Sequence, residues 1–81
     1  MNLQLVSGQF SKADAIEIIT KLLEVKIKYH EEKIKHLENE EDLKYRESKI
    51  IRLQNQLQET RNFLLQQTGT MVSMESAINI A

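Results

Sequence analysis

The chain has 81 residues, with 11 Lys plus Arg against 12 Asp plus Glu and a formal net charge of −1. It contains no cysteine and no proline, which excludes a disulfide framework, a thiolate nucleophile and a cysteine-based zinc site. The near-neutral balance argues against a strongly basic nucleic-acid binder, and no apolar run approaches the ~18 residues of a membrane span.

Gly8 and Gly69 are the two glycines, so residues 9–68 hold neither of the strongest helix breakers. They divide the chain into an N-terminal extended segment (1–10), a helical stretch (11–68) and an apolar, mobile C-terminal tail (69–81). In the first segment Leu3 and Leu5 alternate with polar neighbours, a weak strand signal. In the tail Met71, Val72, Met74, Ile78 and Ile80 follow no clear period, and a short helix from Ser73 is the only element suggested there.

Ser11-Lys12-Ala13-Asp14 has the form of a capping box and marks a helix start. From there a seam of Ile16, Thr20, Leu23, Ile27, His30, Ile34 and Leu37 keeps a strict 4,3 alternation, the heptad spacing of a helix packed on a helix. A second seam with the same rhythm runs Leu43, Arg46, Ile50, Leu53, Leu57, Thr60 and Leu64. The phase jumps by two residues between them, which neither a stutter nor a stammer supplies. The break falls on Glu38-Asn39-Glu40-Glu41-Asp42. Asn39 suits the left-handed end of a first helix, and the acids suit the start of a second.

Folded at Glu40, the seams face each other, Leu37 with Leu43, Ile27 with Leu53 and Ile16 with Leu64. The expected fold is therefore all-α: an antiparallel hairpin of helices at about 12–38 and 42–67. One long helix in a parallel dimer is the competing arrangement. A second apolar stripe of Ile18, Leu22, Val25 and Tyr29 lies opposite the first seam, with Ile19 beside it and Phe63 and Leu65 on the second helix. A hairpin alone leaves such side chains in water, each forgoing roughly 1.5–3 kcal/mol. These seven residues form the candidate oligomer interface, and dimerisation into a four-helix bundle is the expected cover, helped by the chain ends. Strand pairing of the N-terminal segments across that dimer would account for the signal at Leu3–Val6.

Other features have plain structural readings. Glu17, Glu24 and Glu31 precede Lys21, Lys28 and Lys35 by four residues, the pattern of a solvated helix face. His30 on the seam reads as a hydrogen-bonded residue that sets register rather than a metal ligand or pH switch. Arg46 is expected to reach solvent or an acid. Glu32 and His36 supply two ligands where zinc needs three or four. Lys26, Lys28, Lys33, Lys49 and Arg52 form a basic zone at mid-hairpin, beside the acidic turn. No glycine-rich phosphate loop, nucleophile–base set or Glu-x-x-His motif is present, so neither an enzyme nor a cofactor is expected.

The outline is similar to small dimeric helical-hairpin proteins that form four-helix bundles, among them plasmid copy-control RNA-binding ones, a likeness of shape alone. The expected function is a non-enzymatic interaction module that forms a homodimer. The alternatives are a small RNA- or DNA-binding hairpin using the basic zone, and a chaperone or assembly subunit of a secretion or phage system. With no signal-peptide pattern at its start, the chain is expected to be cytoplasmic, without membrane association.

Overall fold

A computed structural model describes every residue except Leu37, so the seam assignment made for Leu37 lies outside the described residues. The chain runs β1 (Asn2–Ser11), α1 (Lys12–Ile34), α2 (Glu40–Gln66) and β2 (Met71–Asn79).

The all-α expectation is corrected: this is an α+β fold of two helices and a two-stranded antiparallel sheet, β1 paired with β2. The stretch assigned to a mobile tail, with a short helix from Ser73, is instead strand β2. Nor does β1 wait for a second copy, because its partner is the other end of its own chain. Leu3 pairs with Ile78, Gly8 with Met74 and Phe10 with Val72, and the register slips by one residue between Gln4 and Val6. Leu5 is the extra residue of that bulge. Side chains alternate across a strand, so Val6 and Phe10 share a face with Val72, Met74 and Ser76, and these five are half-buried. Gly8 belongs to the same face and has φ +134°, a conformation that side chains other than glycine's rarely adopt.

The start of α1 follows from its cap. Ser11 Oγ accepts from the Asp14 backbone N–H at 3.1 Å, which satisfies one of the donors that the first turn leaves unpaired. The helix ends at Ile34, four residues before the expected position, and α2 begins at Glu40, two residues earlier than expected. Asn39 is not a left-handed helix terminus. It is the N-cap of α2, with φ −97° and ψ 126°, and its Oδ1 accepts from the Glu41 N–H at 2.8 Å. Glu40, Glu41 and Asp42 then fill the first turn, where negative charge meets the positive end of the helix dipole. At the other end of the hairpin the Lys12 ammonium donates to the Gln67 carbonyl just past α2, joining the first turn of α1 to the last carbonyls of α2.

Burial traces the two seams. Ile16, Thr20, Leu23, Ile27, His30 and Ile34 are half-buried on α1, as are Leu43, Arg46, Ile50, Leu57 and Thr60 on α2, and Leu53 and Leu64 are buried. With Ala15, those two leucines make up the buried hydrophobic residues of the described chain, and no large side chain is fully enclosed. The body is a slab of 47 × 32 × 14 Å. So thin a body gives few residues neighbours on every side.

Candidate functional site

Two surfaces carry what chemistry the fold assembles: an apolar cleft between the two-stranded ribbon (β1 with β2) and α1, and a basic cleft between the helices at mid-length.

The largely apolar cleft has a volume of about 440 Å³ and is lined by Val6, Ser73, Met74, Glu75 and Ser76 from the strands and by Ile18, Ile19, Leu22 and Leu23 from α1. The alternation of β2 delivers Met74 to this side, and the helical spacing of α1 presents Ile18 and Leu22 one turn apart. The chain's own ends thus cover part of the second apolar stripe: Ile18 and Ile19 are half-buried. Farther along α1 the cover runs out, and Val25 is 69% and Tyr29 54% exposed. On α2, Phe63 and Leu65 are also exposed. Phe63 lines a neighbouring cleft with Thr60, Met71 and Val72, which shares Ile19, Ser73 and Met74 with the first, and Leu65 lines neither. Ile51, an apolar residue off the second seam, is also exposed.

The basic cleft, of about 400 Å³, is bounded by Lys26 and His30 of α1 and by Tyr45, Lys49, Arg52 and Gln56 of α2, with buried Leu53 at its floor. Of the five cations singled out by charge, the structure brings Lys26, Lys49 and Arg52 together here. Lys33 lies outside the lining, with its ammonium 5.6 Å from the Tyr29 ring centroid, and Lys28 lies outside it too. Arg46 crosses the seam and donates from Nη1 to His30 Nδ1 at 2.9 Å, while its guanidinium carbon sits 5.6 Å from the Tyr29 ring centroid. Lys49 lies 5.3 Å from the Tyr45 ring centroid. Both geometries are those of cation–π contacts.

Arg46 pairs with no acid; it stays half-buried, held by a histidine and an aromatic face. An arginine has only donors to offer, so His30 Nδ1 accepts and the neutral ring carries its proton on Nε2. Burial, followed by the charges of Arg46, Lys49 and Lys26, lowers the His30 pKa from its ordinary value.

Two acidic side chains are engaged elsewhere, in ion pairs on α1. Glu17 pairs with Lys21 at 2.9 Å, and that contact lowers the glutamate's pKa and raises the lysine's. Lys35 pairs with Glu32 at 3.2 Å, not with Glu31 four residues back. That contact also draws Glu32 away from the His36 pairing considered for a metal. Among the described residues no group of three potential metal ligands forms, and no helix is long and apolar enough to cross a membrane.

Compared with protein-family models, curated proteins and solved structures, the chain matches none.

Proposed function

We propose that this protein is a non-enzymatic interaction module whose first partner is a second copy of itself. The reading rests on one observation, the surface left uncovered by a single chain. The accessible surface is 6409 Å², whereas a compact monomer of 9.5 kDa exposes about 5,000 Å². The excess, about 1,400 Å², is more than the ~800 Å² that each partner of a standard stable interface contributes. Val25, Tyr29, Ile51, Phe63 and Leu65 are each more than half exposed and contribute apolar area to it.

The surface proposed for the partner begins at the apolar cleft between the ribbon and α1 and continues along Leu22 and Val25. The occupant is the same surface of a second chain, an arrangement that a two-fold axis generates from one patch. Such a dimer stacks a second slab on the first and completes the two-layer construction that gives a domain its core.

Light scattering coupled to gel filtration tests the reading. A mass of two chains at micromolar concentration, with a melting temperature that rises with protein concentration, is the expected result. One chain's mass at every concentration, with a constant melting temperature, overturns it.

A further inference from the structure

The basic cleft is separate from the apolar surface, and its chemistry does not depend on self-association. It is lined by Lys26, Lys49 and Arg52, with His30, Tyr45, Leu53 and Gln56 completing the walls. No carboxylate lines it. Among the described residues Lys21 and Lys35 are neutralised by Glu17 and Glu32, whereas Lys26, Lys49 and Arg52 have no carboxylate oxygen within 4.0 Å.

Like charges gathered without counter-charge repel one another, and an anion relieves that repulsion. Two features set the class of anion. Three cations around one cleft suit a group carrying more than one negative charge, and a guanidinium flanked by ammonium groups is the donor set used for phosphate. The aromatic rings point the same way. A cation lies near the ring of Tyr29 and near that of Tyr45, so neither is a free platform for base stacking, and recognition falls to phosphate oxygens.

We propose that the cleft bounded by Lys26, Lys49 and Arg52 binds phosphate groups, supplied either by the backbone of a nucleic-acid strand without regard to sequence or by a small polyphosphate. The acidic first turn of α2, with Glu40, Glu41 and Asp42, repels a strand beyond the cleft and confines contact to the mid-section of the hairpin.

The test uses the full chain at low salt with two probes, a labelled mixed-sequence single-stranded RNA read by fluorescence anisotropy and inorganic tripolyphosphate read by calorimetry. The cleft variant combines Lys26→Gln, Lys49→Gln and Arg52→Gln; the control combines Lys21→Gln and Lys35→Gln. Circular dichroism and light scattering check that each variant keeps the fold and the mass of the parent. The expected result is binding that the cleft variant loses by on the order of tenfold or more and the control largely keeps. For RNA the slope of log affinity against log salt falls by about two, at ~0.7 per neutralised cation on a single strand. Binding of RNA alone supports the proposal with a strand as the source of the phosphates, and binding of tripolyphosphate alone supports it with a small ligand. If neither probe binds at low salt, or the control weakens binding as much as the cleft variant does, the proposal is overturned.

Discussion

Arg46 donates a hydrogen bond to His30 Nδ1 across the seam between the two helices, at 2.9 Å. The sequence places both residues at positions normally held by aliphatic side chains, and each answers the other's polarity. The arrangement requires a neutral imidazole, because a protonated ring presents N–H groups to a guanidinium that is itself all donors.

Stability should therefore depend on pH. The His30 pKa in the folded chain lies below the ordinary 6.5, through burial first and then Arg46, Lys49 and Lys26. As pH falls, the unfolded chain takes up this proton before the folded chain does. The contribution of His30 is complete above about pH 6.5 and is lost as pH falls through that value to the folded-state pKa. Urea unfolding between pH 8 and pH 5 is expected to show the decline. His30→Gln keeps an acceptor for Arg46 but cannot titrate, so it should flatten the curve over that range. An equally steep decline in the variant would assign it to other groups.

Thr20 gives a prediction of opposite sign. Its Oγ1 is buried without a hydrogen-bond partner, whereas Thr60 on the facing seam donates to the Gln56 carbonyl at 2.7 Å. Replacing an unsatisfied buried hydroxyl with a methyl group removes its desolvation penalty. Thr20→Val should stabilise the chain by about 1 kcal/mol, and Thr60→Val should not. Denaturant midpoints of the two variants decide it.

Gly8 should resist substitution for backbone reasons alone. A Cβ built there meets nothing within 4 Å, yet φ is +134°. Gly8→Ala is expected to cost about 1–3 kcal/mol. A D-alanine at the same position, introduced by chemical synthesis, suits a positive φ and should cost less. Equal losses for the two would trace the effect to space rather than to conformation.

Val25 separates association from folding. It is 69% exposed on α1, so a charge there leaves a single chain's packing almost untouched. Val25→Glu should convert a dimer to monomers in light scattering while helix content by circular dichroism stays near the parent value, with a lower melting temperature. A variant that keeps the mass of two chains would move the interface away from α1.

The helices were legible because their signal is redundant. Each seam repeats its spacing over several turns, the capping box precedes the first, and Asn39 with three acids precedes the second. The sheet was hidden by local irregularities. In β1 the bulge at Leu5 shifts the alternation, and Gly8 leaves a blank where an inward side chain would stand, so Leu3, Val6 and Phe10 keep no even spacing. In β2 the period is present in Val72, Met74 and Ile78, but Met71 sits out of phase and Ser76 takes an inward position. The pairing itself joins residues sixty or more positions apart, which no local pattern records. The basic cleft was legible as charge. Its separation from Lys28 and Lys33, and the hold of His30 and Tyr29 on Arg46, came only with the packing of the helices.

The pairing of the two ends also fixes an order of events. Ser11 meets Met71 only after about sixty intervening residues have been gathered, and the loop-closure entropy of that step is large for a free chain. Docking of α1 on α2 does the gathering through contacts much closer in sequence, such as Arg46 with His30. The ribbon should then zip from its helix-proximal end towards Asn2 and Asn79, and unfolding should begin at that distal tip. Native-state amide exchange is expected to be fastest near Leu3 and Ile78, slower at Phe10 and Val72, and slowest around Leu53.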